Sequence, residues 1–169
     1  MKTRSTNKYV IFSLDKTFFG IHILKTKEIV EFGKITPVPE APSYIKGVIN
    51  LRGQAIPVID LSKKFFNTDT VKHEETGIII TEIVSDNENL VMGLLVDKVI
   101  DVLEISSENL SSLPKYGSKI KSEYIKNVSS YNDDFVLILD LEKIISSGNL
   151  SDELKNAVKW IKNFFFALF

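Results

Sequence analysis

YIKGVINLRG occupies residues 44 to 53, and YIKNVSSYND occupies residues 124 to 133. An offset of 80 lays Tyr44, Ile45, Lys46 and Val48 over Tyr124, Ile125, Lys126 and Val128, and carries on to place Asp60, Leu61 and Lys63 over Asp140, Leu141 and Lys143. The apolar run Ile56-Pro57-Val58-Ile59 falls over Val136-Leu137-Ile138-Leu139. An offset of 73 aligns the preceding block: Gly20 with Gly93, Ile23 with Val96, Lys25 with Lys98, Glu28 with Asp101 and Glu31 with Glu104. The change of offset needs only an insertion, which the polar stretch SSENLSSLPKYGSKIKSE (106 to 123) can hold. Ordered blocks that agree at polar positions point to a duplicated unit more than to the general likeness of β sequences.

Outward from these blocks, short runs rich in Ile, Val, Phe and Leu alternate with Gly, Pro, Asn, Asp and Ser, the signature of a mainly β chain. The runs at 9–14, 18–23, 27–32, 47–51, 55–61, 77–83, 90–96, 98–105 and 135–141 are expected strands. Asp15-Lys16, Asp86-Asn87 and Asn132-Asp133 supply hairpin turn chemistry. Pro37, Pro39 and Pro42 make a stiff connection that belongs outside a sheet interior. Two similar, intertwined β units of about five strands are expected, forming a pair of barrels or curled sheets, the second spanning roughly residues 70 to 140.

The 169 residues suffice for a substantial core. With 21 basic against 22 acidic residues there is no global electrostatic bias, whereas a nucleic-acid binder more often shows a basic excess. The absence of cysteine excludes disulfides and thiolate chemistry and fits a reducing interior. The opening MKTRSTNKYVIF lacks a signal-peptide pattern, and no apolar run reaches the ~18 residues of a membrane span.

From residue 150 to 169 the pattern changes. Ser151 can cap a helix, Asp152 and Glu153 suit its first turn, and Leu154, Val158, Ile161, Phe165 and Leu168 recur at helical spacing. The stripe is expected to pack on the barrels, while Phe164, Phe166 and Phe169 in WIKNFFFALF face either this chain or a second surface.

Catalytic constellations are scarce. No glycine-rich phosphate loop, GxSxG or HExxH is present. His22, alternating with Ile21 and Ile23, reads as a rim residue, and His73 lies in a polar link. Asp60 and Asp140 hold the same place in both copies, where a side chain bonding nearby amides stops a strand, so they read as architecture rather than as a carboxylate pair. Gly47 and Gly53 correspond to Asn127 and Asp133, residues that tolerate left-handed backbone. Arg52 breaks the symmetry, because its partner is Asn132. A guanidinium at a core edge needs an acceptor to offset lost hydration, and Glu28 in KEIVEF is the expected one. That pair reads either as a brace or as a brace that also shapes a protein-binding surface.

The blocks IHILKTKEIVEF (21 to 32), PSYIKGVINLRGQAIPVIDL (42 to 61) and GLLVDKVIDVLEI (93 to 105), in that order and separation, resemble the CheW family of chemotaxis coupling proteins. The resemblance covers roughly residues 8 to 145, and its most specific part is Asn50 to Leu61. It implies two SH3-like five-stranded barrels packed together, followed here by the helix at 150 to 169. It further implies a non-enzymatic, cofactor-free cytoplasmic adaptor, recruited to membrane-associated arrays without inserting into the membrane or binding nucleic acid. Its implied partners are the signalling tip of methyl-accepting chemoreceptors and the regulatory domain of the chemotaxis histidine kinase CheA. Carried over by position, the receptor-facing surface comprises Thr26, Lys27, Glu28, Lys46, Gly47, Asn50 and Arg52, with Val99 nearby, and Glu28 pairs with Arg52. The chain departs from the pattern at Thr26, a position often apolar in relatives, and FFFALF lies outside it. The rival readings are a small-barrel binder of single-stranded nucleic acid and an enzyme with dispersed catalytic residues.

Overall fold

The computed structural model describes residues 7–112 and 120–164. Ten strands follow in chain order: β1 (Lys8–Leu14), β2 (Thr17–His22), β3 (Thr26–Glu31), β4 (Ile45–Leu51), β5 (Gln54–Asp60), β6 (Gly77–Ser85), β7 (Glu88–Val96), β8 (Lys98–Glu104), β9 (Ile125–Tyr131) and β10 (Asp134–Leu139). Three helices complete the described chain: α1 (Leu61–Phe66), α2 (Leu141–Ser146) and α3 (Leu150–Phe164). The nine runs expected from sequence are all strands; β9, with exposed and half-buried Lys, Asn and Ser along it, carries too weak an apolar pattern to stand out alone.

The strands form two five-stranded sheets, ordered β8-β1-β2-β10-β9 and β3-β6-β7-β5-β4. Each contains three antiparallel pairs and one parallel pair, β2 with β10 in the first and β7 with β5 in the second. The two curled, SH3-like sheets are therefore copies of one another, with β8 matching β3, β1 matching β6, β2 matching β7, β10 matching β5 and β9 matching β4. This correspondence reproduces both sequence offsets. Gly20 and Gly93 occupy the same crowded place beside the parallel partner: a Cβ would come within 2.8 Å of Ile138 at Gly20 and 2.7 Å of Ile78 at Gly93.

The expected division near residue 70 is corrected by this topology. β1 and β2 leave the first half to pair with β8 and β10, while β6 and β7 leave the second half to pair with β3 and β5. One barrel is thus continuous in sequence from Thr26 to Val96, and the other is assembled from its two flanks. Each five-strand repeat exposes an apolar edge that only strands from the other repeat complete.

Three apolar clusters follow from this exchange. Ile49, Ile56, Val58, Ile78, Ile80 and Leu95 fill one barrel, and Tyr9, Ile11, Ile105, Val136 and Ile138 fill the other. The largest cluster lies between the sheets and takes in the helices, with Phe12, Phe19, Ile79, Leu94, Leu61, Ile144 and Leu154 among its buried members.

The repeated YIK has a common structural role. The carbonyls of Tyr44 and Tyr124 accept the amides of Asp60 (2.8 Å) and Asp140 (2.9 Å). Ile45 pairs with Ile59 and Ile125 with Leu139, after which Lys46 and Lys126 are bulged out of register. Lys46 and Gly47 therefore lie at a β-bulge inside a strand. The expected equivalence of Gly47 and Asn127 is also corrected. Gly47 has φ +149° and lies so close to the adjoining segment that a Cβ would fall 2.2 Å from the Thr36 carbonyl, whereas Asn127 has no positive φ. Left-handed backbone appears instead at the hairpin tips, Arg52-Gly53 and Asn132-Asp133, as turns of this kind require.

Asp60 and Asp140 end their strands as expected and also start α1 and α2, each accepting the amide three residues on. α3 lays Leu150, Leu154, Ala157 and Ile161 on its own chain. Ser151 does not cap it, since the helix begins one residue earlier and the Ser151 hydroxyl is buried with no partner among the described residues. Phe164 is exposed, its ring tilted against Trp160 with centroids 5.0 Å apart; the expectations for Phe165, Phe166, Leu168 and Phe169 fall outside the described residues.

Candidate docking site around Glu28 and Arg52

β3 and β4 are the two edges of the second sheet, and the curl of that sheet brings their ends together. A bulge at Lys27 shifts the pairing of β3 on β6, so that Thr26 faces Thr81 and Glu28 faces Ile80. Across the closing edge, the tight turn between β4 and β5 lifts Arg52 into left-handed conformation with φ +50°. The Asn50 side chain holds the turn by accepting the Gly53 amide at 2.9 Å. In this position the Arg52 guanidinium donates a hydrogen bond to the Glu28 carboxylate. The bond to Glu28 holds the Arg52 pKa above its ordinary value, so the guanidinium remains a cation.

The pairing was legible in the sequence, but its environment was not. The Arg52 side chain is 71% exposed and that of Glu28 31%. The pair is therefore a surface latch between two sheet edges and not a core-edge brace, and such pairs add little to stability. Lys27 makes a second contact, to Glu82 at 2.9 Å. Together Lys27, Glu28, Leu51, Arg52, Gln54 and Val91 rim a depression of about 230 Å³ whose floor includes Ile56 and Ile80.

The remaining expected residues spread from this point. Lys46 and Gly47 sit at the opposite end of β4 from Arg52. Val99, on β8 of the other barrel, comes to Gly77, where a Cβ would touch both the Val99 and Ile29 side chains at 3.9 Å. Ile29, on β3, is 46% exposed. Ile29 and Val99 thus both approach Gly77 where the two barrels adjoin, on the face of β3 opposite to Glu28. Sequence reading missed Ile29 and Gly77. The signal was present in KEIVEF, where Glu28 and Val30 turn toward one face and Ile29 toward the other.

Thr26 is half-buried, and its hydroxyl is enclosed with no hydrogen-bond partner among the described residues. That environment suits an apolar side chain better than a hydroxyl. The histidines are used locally: His22 Nδ1 accepts the Leu24 amide at 3.2 Å, and His73 Nδ1 accepts the Glu75 amide at 3.1 Å. Among the described residues, no three His, Asp or Glu side chains converge as a metal site, and no described helix is long and apolar enough to cross a membrane. The surface here carries a charged latch on one face of β3 and exposed Ile29 on the other.

The CheW-like domain family matches residues 8–149. The chemotaxis protein CheW of Klebsiella aerogenes is 32% identical over 144 residues, covering 85% of this chain and 84% of that one. The chemotaxis protein CheW of Treponema pallidum is 31% identical over 141 residues, covering 83% of each. The crystal structure of the scaffolding protein TtCheW from Thermoanaerobacter tengcongensis superposes with a TM-score of 0.75 at 31% identity, over 88% of this chain and 95% of that one. On its two exchanged five-stranded sheets and on these matches, the chain belongs to the CheW-like family.

Proposed function

We propose that the chain physically couples the cytoplasmic tip of a chemoreceptor to the regulatory domain of the kinase CheA, and that the receptor docks on Thr26, Lys27, Glu28, Lys46, Gly47, Asn50 and Arg52, with Val99 nearby. As a member of its family, the chain is a non-enzymatic chemotaxis scaffold. The observation that carries the finer reading is the Glu28–Arg52 latch on the rim of the depression floored by Ile56 and Ile80, at a sheet edge whose β3 also carries exposed Ile29 on its other face. A receptor's helical tip presents a long apolar face with polar flanks, which such a groove accommodates. In this reading Glu28 holds the Arg52 guanidinium in one orientation, and Arg52 offers its remaining N–H groups to the receptor. Signal passes because receptor and kinase bind one rigid body, so occupancy of one face biases the other.

The test is a pull-down with a receptor signalling fragment and with the kinase regulatory domain, combined with kinase activation in reconstituted arrays. Wild-type protein is expected to retain both partners. Arg52→Ala and Glu28→Ala are expected to keep the fold and the kinase interaction while weakening receptor binding. Binding of neither partner by the wild type refutes the coupling role; undiminished receptor coupling in both folded variants refutes the site.

A further inference from the structure

α3 starts at Leu150, just past the end of the CheW-like match, and its faces have different surroundings. Leu150, Leu154, Ala157 and Ile161 are buried against the chain itself. Phe164, in the last turn, is 67% exposed, and its ring leans on Trp160 four residues back. The sequence that follows, Phe165 to Phe169, contains no polar side chain. Lys155, Lys159 and Lys162, at spacings of four and three, share the solvent face of the helix. Lys155 pairs with Glu88 at 2.8 Å, whereas Lys159 and Lys162 have no acidic partner among the described residues. From Leu154 onward the chain has lysines and no Asp or Glu, although its net charge is -1.

We propose that this end of α3 is a lipid-contact site, at which Phe164 and the apolar residues after it enter the headgroup region of an anionic bilayer while Lys159 and Lys162 meet its phosphates. Aromatic side chains favour the boundary between headgroups and acyl chains, and Trp160 stands one turn above Phe164 to extend that contact. Lysines beside them keep their stems against apolar surface and their ammonium groups at the headgroups, where a negative surface attracts them. Unpaired cations around an exposed aromatic end, with no carboxylate among them, complement lipid phosphates and apolar chains together. The apolar stripe of α3 is already occupied by the protein core, so the helix does not lie flat in the membrane and the contact is confined to its last turns. No described helix is long and apolar enough to cross a bilayer, so the contact is a shallow one. These residues lie beyond the part of the chain that the resemblance covers, and its implication of no membrane insertion does not reach them. Lipid contact needs neither receptor nor kinase, and the site is independent of the coupling role.

The experiment mixes the full chain with vesicles of phosphatidylcholine alone, or of phosphatidylcholine with phosphatidylglycerol, at low and high salt. Flotation reads partition, and the emission of Trp160, the single tryptophan, reads entry into lipid. Wild type is expected to float with the anionic vesicles and to shift its emission to the blue, and to lose most of this binding at high salt or on neutral vesicles. Phe164→Ser, and separately Lys159→Gln combined with Lys162→Gln, change exposed side chains, and melting curves check the fold. Each is expected to weaken partition onto anionic vesicles by about fivefold or more. Failure of the wild type to bind anionic vesicles overturns the proposal, as does equal binding to neutral ones. Undiminished binding by either folded variant overturns it too. Concentration-dependent self-association in sedimentation, in place of vesicle binding, would assign the exposed aromatic end to a second copy of the chain and overturn the lipid assignment.

Discussion

Asp60 and Asp140 stand eighty residues apart, cap equivalent helices in equivalent barrels, and differ in what surrounds them. Asp60 is 1% exposed and accepts three hydrogen bonds: the Lys63 amide at 3.2 Å, the Thr70 amide at 2.9 Å and the Thr70 hydroxyl at 2.7 Å. Asp140 accepts the Lys143 amide at 3.1 Å and is half-buried. Substitution by alanine leaves buried donors unpaired in the first case and removes one helix cap in the second. Asp60→Ala is expected to cost about 2–4 kcal/mol and Asp140→Ala about 1 kcal/mol. Chemical denaturation of the two variants, showing equal losses, would contradict this ordering.

Gly47 and Gly53 bracket the same motif for different reasons. A Cβ at Gly47 collides with backbone, the Thr36 carbonyl, which cannot step aside without breaking the Thr36–Val48 bridge. A Cβ at Gly53 meets nothing within 4 Å and pays only for its positive φ. Gly53→Ala is expected to cost about 1 kcal/mol, and Gly47→Ala at least about 2 kcal/mol. Gly47→Asn, which installs the residue of the other copy, is expected to be no better tolerated than alanine. A thermal melt of Gly47→Asn at the wild-type midpoint would be the contrary result.

Thr26 offers a gain. Its enclosed hydroxyl lacks a partner, so Thr26→Val replaces it with a methyl group of nearly the same shape. Stabilisation by about 1 kcal/mol is expected. On the proposed function, receptor binding should hold or tighten, since the substitution restores an apolar edge to β3. Equilibrium unfolding and receptor-fragment titration read the two effects separately.

α3 is fastened by two ionisable contacts that fail at opposite ends of the pH scale. Burial, then the hydrogen bond it donates to Glu153, raises the Tyr44 pKa well above the ordinary tyrosine value. Its contribution is full below the ordinary value of about 10 and is lost as pH rises through the raised folded value. The hydrogen bond from Lys155 lowers the Glu88 pKa, so that contribution is present above the ordinary glutamate value and is lost as pH falls through the depressed one. Trp160, the single tryptophan, sits on α3 and reports both events by fluorescence. Tyr44→Phe should abolish the alkaline change and Lys155→Met the acidic one; persistence of either change in its variant would assign it to another group.

The duplication, the strand content, three hairpin turns, the Glu28–Arg52 pairing and the helix after residue 150 were all readable from residue order. Those features rest on side-chain chemistry: alternation of apolar residues, turn residues at hairpin tips, and a guanidinium that needs a carboxylate acceptor. The helix caps Asp60 and Asp140 were recognised as strand ends but not as helix starts, because six-residue helices such as α1 and α2 are too short to show a helical period.

By itself the sequence determined that this protein is built from two copies of one β unit, and that Arg52 is where the copies part. Tertiary structure decided how the copies are joined. β1-β2 and β6-β7 change places because an apolar strand edge is satisfied by any partner of the right register, a long-range choice that leaves no local mark. The same exchange decided exposure. Arg52 is an open latch on Glu28, and Ile29 and Val99 both approach Gly77, since each of these is a juxtaposition of residues distant in sequence.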